Sequence, residues 1–155
     1  MDKIQFKEFC KKDFESRGFK KTKKMFYLKG EELLCGIDLQ KSNYGDTYYV
    51  NFVFFIGKYD SPKDYPTYYD GDIYGRVRVM TKTLTDKGKP FISSLIRYEE
   101  YTEEELQPYF DQSFEERVLP PIYQGKKYIL DNLGKLYRLD YRTEEVMEKL
   151  QSYHL

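Results

Sequence analysis

Residues 47–58 constrain this chain more than any other segment. Tyr48, Val50, Phe52, Phe54 and Ile56 alternate with Tyr49, Asn51, Val53 and Phe55, which is strand periodicity with apolar side chains on both sides. Within it, 52–56 is the longest uninterrupted aliphatic or phenyl run, far too short for a membrane span or the apolar core of a signal peptide. The segment therefore reads as a long strand of a folded sheet. Leu, Ile, Val and Phe supply 39 of the 155 residues, enough for a core, and the length argues for a single domain over 1–155.

The neighbouring patterns place that strand. In residues 3–17, Phe6, Phe9, Cys10 and Phe14 share one helical face, with Gly18 just past the helix end. Residues 25–28 turn apolar, 29–31 read as a tight turn, and Leu33, Cys35, Ile37 and Leu39 then alternate with Leu34, Gly36, Asp38 and Gln40, a hairpin. After a loop over 59–71, residues 73–80 form a fourth strand, with Ile73, Gly75, Val77 and Val79 inward and Tyr74, Arg76, Arg78 and Met80 outward. Residues 86–90 are a break, and 91–98 suit a strand or a buried connector. Thr102 and Glu105 have capping-box spacing ahead of Leu106, Phe110 and Phe114, which predicts a helix over 103–118 that Pro120-Pro121 stops. Two more helices are expected over 123–133 and 143–153. The class is α+β: an N-terminal helix, an antiparallel sheet of four or five strands within 1–98, and a helical part of the same domain over 99–155.

Charge excludes several functions and leaves others open. Lys+Arg and Asp+Glu balance at 26 each, so nothing general draws the chain to nucleic acid or an anionic membrane. The single histidine, His154, leaves no histidine pair for a metal and no basis for a histidine triad, and no cofactor or metal is expected. Cys10 and Cys35 are too few and too far apart for a disulfide framework or a C-x-x-C site, so both read as buried thiols of a cytoplasmic protein. Tyrosines outnumber phenylalanines 17 to 11, which predicts a tyrosine-rich surface. Residues 1–30 hold ten basic and four acidic side chains, whereas 98–116 hold eight acidic and none basic; either the two segments complement each other or both are solvated faces.

Several short blocks occur in an order that resembles a known family: Gly18-Phe19-Lys20-Lys21, Met25-Phe26-Tyr27, Leu39-Gln40-Lys41-Ser42-Asn43-Tyr44, Tyr48-Tyr49-Val50-Asn51, and 72–78 with Asp72, Tyr74, Arg76 and Arg78. The chain is similar over its first half to a bacterial family catalogued as domain of unknown function 4304. That resemblance implies a small soluble α+β domain and carries no established activity or catalytic residue.

The candidate site comes from the residues themselves. With strands two, three and four side by side, Asp38, Gln40, Tyr49, Asn51, Tyr74, Arg76 and Arg78 share one sheet face. Paired guanidiniums beside amides and phenols suit a carboxylate, a phosphate or a peptide C-terminus; the bland alternative is an arginine paired with Asp38. Lys41, Ser42 and Tyr44 form a second candidate at a loop rim, against a purely turn-forming role; as strand neighbours, Lys41 and Ser42 point to opposite faces and make a poor nucleophile pair. Lys20, Lys21, Lys23 and Lys24 beside Phe19, Phe26 and Tyr27 suit either single-stranded nucleic acid, which is disfavoured, or a protective basic edge. The glutamates of 103–116 suit a helix start better than a cation site. The leading expectation is a non-enzymatic domain that binds a protein or peptide, an immunity-like protein being one form of it. The alternative is a small-molecule anion binder or unrecognised enzyme using the arginine-bearing face.

Overall fold

The computed structural model describes residues 1–23, 25–82, 88–139 and 143–152. Lys24 of the basic edge, Asp86 and Lys87 of the expected break, and Tyr153 and His154 lie outside the described residues. Helix α1 (Lys3–Ser16) opens on a reciprocal capping box: Asp2 accepts from the Gln5 N–H at 2.8 Å, and the Gln5 side chain accepts from the Asp2 N–H at 2.9 Å. It closes where Gly18 adopts φ +100°, with the Gly18 N–H on the Glu15 carbonyl and the Phe19 N–H on the Phe14 carbonyl, a Schellman ending. Its buried stripe is Phe6, Phe9, Cys10 and Phe14.

Strands β1 (Lys20–Thr22), β2 (Met25–Lys29), β3 (Leu33–Lys41), β4 (Tyr48–Ile56) and β5 (Ile73–Arg76) form one antiparallel sheet in chain order. The basic residues of β1 lie on an outer strand, which discourages edge-to-edge pairing. The expected fourth strand is two pieces. Val77 N–H still bonds the Val50 carbonyl, but the Arg78 N–H turns to Ser113 Oγ, and β6 (Val79–Met80) pairs instead with β7 (Ile92–Ser93). Residues 91–98 thus supply a short strand and an isolated bridge from Ile96 to Tyr48.

Both sides of β4 are covered, by different means. Val50, Phe52 and Phe54 join Leu33, Cys35 and Ile37 in a large core with α1 and the C-terminal helices. On the opposite face Val53 and Phe55 pack with Met25, Tyr27 and Leu34 under Tyr59, Tyr65, Tyr68 and Tyr74. The loop before β5 is therefore a roof of phenol rings, fastened by the Tyr27 hydroxyl donating to the Pro66 carbonyl at 2.7 Å. The expected tyrosine-rich surface is only part of the outcome: Tyr44, Tyr69 and Tyr123 are exposed, whereas Tyr27, Tyr48, Tyr98, Tyr101 and Tyr137 are buried.

The helical path corrects the expected stop at Pro120-Pro121. Helix α2 (Glu103–Ser113), with its Thr102–Glu105 capping box, runs into a π-helical segment (Phe114–Val118) and then α3 (Leu119–Gln124), which holds both prolines in its first turns. In a continuous helix the missing N–H groups of Pro120 and Pro121 would leave the Glu116 and Arg117 carbonyls without donors. Two tyrosines replace them: Tyr128 Oη donates to Glu116 O at 2.8 Å and Tyr137 Oη to Arg117 O at 2.6 Å. The helix expected over 123–133 is interrupted by Gly125 at φ +89° and begins afresh as α4 (Lys126–Asp131). Helix α5 (Thr143–Gln151) is held by the buried Lys126, which donates to the Lys149 and Ser152 carbonyls at its C-terminal end, and by Lys149, 2.8 Å from Asp72.

The charge asymmetry is partly complementary. Arg17 bridges Asp13 at 2.9 Å and Asp111 at 2.6 Å, and Gln107 bonds both carboxylates, which joins α1 to α2. Burial alone would raise the Asp111 pKa; the Gln107 amide and the Arg17 guanidinium outweigh it and hold the carboxyl below its ordinary value. Because the folded value is the lower one, this contribution is complete above the unfolded pKa of about 3.9 and is lost as pH falls through the folded pKa. Asp111→Asn should therefore lower the melting temperature at neutral pH, and the gap to wild type should close on acidification below about pH 4. A gap that stays constant with pH would show that the carboxylate's charge is not what stabilises the contact. Tyr137→Phe should cost about 1–3 kcal/mol in urea unfolding by orphaning a buried carbonyl, and Tyr128→Phe less, since water reaches its site.

Candidate functional site

Strand β5 is the outer strand on its side of the sheet, and an open groove of about 1020 Å³ involves side chains from around it. The loop before the strand supplies Tyr68, Tyr69 and Asp72; the strand and its extension supply Tyr74, Arg76 and Arg78. The π-helical segment supplies Arg117, and the stretch after α4 supplies Lys135, Leu136 and Arg138. Among the described residues, five cationic side chains thus face one carboxylate, and that carboxylate, Asp72, already accepts the Ile56 N–H at 2.7 Å and pairs with Lys149.

The register explains how Arg76 is aimed. Asp38, Asn51 and Arg76 are lateral neighbours across β3, β4 and β5, and Gln40 lies opposite Tyr49. Asn51, buried at the centre of the row, donates to Gln40 Oε1 at 2.9 Å and accepts from Arg76 Nε at 2.9 Å. The guanidinium carbon lies 3.8 Å from the centroid of the Tyr49 ring, a cation–π stack. Burial pushes the Asp38 carboxyl up, with the Asn51 hydrogen bond opposing it. Among the described residues Arg76 bonds Asn51 rather than forming an ion pair with Asp38, and this face is roofed by the tyrosine loop.

Arg117 is the unusual member. It is 6% exposed, donates to the Arg76 carbonyl and to Ser113 Oγ, and lies 5.2 Å from the Phe52 ring centroid. No carboxylate lies within ion-pair distance of it among the described residues. Burial, and then the like charge of Arg78, bring its pKa down to about 10. A π-helical insertion is often found at functional sites, and here it brings an arginine inward directly after two exposed glutamates.

Of the residues expected from sequence, Tyr74, Arg76 and Arg78 line the groove. Gln40, Tyr49 and Asn51 stand behind Arg76 and position it. Tyr74 also locks the roof, since its hydroxyl donates to the Tyr68 carbonyl at 2.8 Å and accepts from the Gly71 N–H. Lys41, Ser42 and Tyr44 are not among the groove's lining residues. Ser42 Oγ accepts from the Tyr44 N–H at 3.0 Å and shapes the β3–β4 turn, while Lys41 and Tyr44 are exposed. Tyr68, Tyr69, Arg117, Lys135 and Arg138 were not legible as a group. Two signals pointed to Arg117: it is the only basic residue between 98 and 125, and Leu106, Phe110, Phe114, Val118 and Ile122 keep a four-residue spacing that a 3.6-residue helix cannot hold on one face.

No curated protein and no solved structure matches the chain. The profile of one family, described as Domain of unknown function (DUF4304), matches residues 10–120, which include all five strands of the main sheet together with Arg76, Arg78 and Arg117. Lys135 and Arg138 lie beyond the matched residues. With well over half its length in that match, the chain belongs to the DUF4304 family.

Proposed function

We propose that this domain binds an anionic ligand in the arginine groove beside β5. The observation that carries the reading is Arg117, a buried guanidinium with no carboxylate partner among the described residues, lining a groove with three further arginines and a lysine. A buried charge without a counter-ion is costly, and a bound anion offsets that cost while relieving repulsion from Arg78. Guanidiniums also match planar carboxylate and phosphate groups with paired hydrogen bonds. A protein-docking face calls for a flat Arg and Tyr patch, whereas these side chains line a concavity.

A second reading, a protein partner of the immunity-like kind, draws on a different surface. Met80 and Ile92 are cross-strand partners on the β6–β7 hairpin, and both, with neighbouring Phe91, are exposed. A cytoplasmic setting goes with either reading: Cys10 and Cys35 are free, and burial pushes both thiols up, with Asp13 adding to the effect at Cys10. Among the described residues no helix is long and apolar enough to cross a membrane.

Calorimetric titration with inorganic pyrophosphate at low ionic strength tests the anion reading. Binding should weaken about tenfold in Arg78→Ala and more in Arg117→Met, and should fade as salt is added. Arg117 also holds the Arg76 carbonyl, so the exposed Arg78 is the variant that separates binding from folding. An undetectable heat, or equal affinity in wild type and Arg78→Ala, would overturn the proposal.

A further inference from the structure

The groove is larger than an inorganic anion needs, and its lining includes an exposed aromatic ring. At about 1020 Å³ it is at the upper end of the roughly 300–1,000 Å³ that organic ligands occupy. Tyr69, on its rim, leaves 88% of its surface in water. The ring meets an aromatic neighbour: Tyr68 and Tyr69 lie edge to face with centroids 5.7 Å apart, and Tyr68 packs in the same manner on Tyr74 at 5.0 Å. The Tyr68–Asp70 turn that carries it is fastened by Thr67 Oγ1 on Asp70 at 2.9 Å and by the Tyr74 hydroxyl on the Tyr68 carbonyl. An exposed aromatic ring on a fastened turn beside a cationic groove is the pairing that recognises a flat ring attached to a phosphate. Aromatic side chains stack on any nucleobase, while arginines hold the phosphate oxygens.

Resting on the anion reading, we propose that the ligand is a nucleoside phosphate, with its phosphate at Arg78 and Arg117 and its base stacked on Tyr69. The overall neutral charge of the chain does not oppose this, because the cations are gathered locally.

The test is calorimetric titration of the full chain with AMP, ribose 5-phosphate and adenosine, using wild type, Tyr69→Ala and Arg78→Ala. AMP should bind at least about tenfold more tightly than ribose 5-phosphate. Tyr69→Ala should abolish that difference while leaving ribose 5-phosphate unaffected, and Arg78→Ala should weaken both phosphates. Tyr69 is exposed, so its loss does not threaten the fold. If ribose 5-phosphate binds as tightly as AMP and Tyr69→Ala changes nothing, the base contact is overturned and the anion reading stands. Adenosine binding as tightly as AMP would overturn the phosphate's role, and if no phosphate compound binds, pyrophosphate included, both readings fall. Thymidine monophosphate against a short oligothymidylate separates the sources: a tighter strand means the nucleoside phosphate is recognised within a single strand, and equal affinity means a free nucleotide.

Discussion

Strand β4 carries Val50, Phe52 and Phe54 on one side and Val53 and Phe55 on the other, and all five are essentially removed from water. Burial of each side chain is worth about 1.5–3 kcal/mol, so a sheet with one wet face is not available to this chain. Two different roofs result. The chain's two ends, α1 and the C-terminal helices, close one face, and a short loop of phenol rings between β4 and β5 closes the other. Phenols suit the second task because a thin roof leaves each ring near solvent, where a hydroxyl can find a backbone carbonyl, as Tyr27 and Tyr74 do. The two roofs approach each other at the outer strand β5, and the groove is their seam. This is why its lining comes from the tyrosine loop, the strand and the helical layer together.

Arg117 has a structural task at that seam, and it carries a cost. Its guanidinium takes the Arg76 carbonyl, and Ser113 takes the Arg78 N–H, so the open side of the outer strand is partly occupied and less able to pair with another chain. The same placement buries a positive charge beside Arg78 and over an aromatic ring, without a carboxylate among the described residues. A neutral donor would cap the strand with less desolvation cost. On the anion reading proposed above the charge itself is needed in the groove, and one placement would then serve both the strand and the ligand.

Much of this architecture was legible in the chain. The alternation in β3 and β4 told which side chains share a face, the stripe of α1 and its closing Gly18 marked a helix, and Thr102 with Glu105 marked the start of α2. These signals are local, with periods of two or 3.6 residues. The misreadings had non-local causes. Residues 73–80 look like one strand until Ser113, 35 positions away, captures the Arg78 N–H. Pro120-Pro121 looks like a stop until Tyr128 and Tyr137 supply the donors that the prolines lack. The candidate face and the groove differ for the same reason: Gln40, Tyr49, Asn51 and Arg76 are set by strand register, whereas the groove assembles residues from 68 to 138 through tertiary packing.

Residue 76 shows how the two faces are coupled. Its side chain belongs to the tyrosine-roofed face, oriented by Asn51 and stacked on Tyr49, while its carbonyl is held by Arg117 from the helical side. Gly75 beside it permits this, because a Cβ there would fall 2.2 Å from the Phe52 ring, the ring on which Arg117 rests. Phe52, Gly75, Arg76 and Arg117 therefore form a continuous packed chain from the β4 core to the groove. Where interiors are close-packed, such a chain moves as a unit. The positions of Arg76 and of the buried Arg117 are then fixed by the strand that created the need for two roofs, and on the anion reading proposed above these two guanidiniums would lose little entropy on binding.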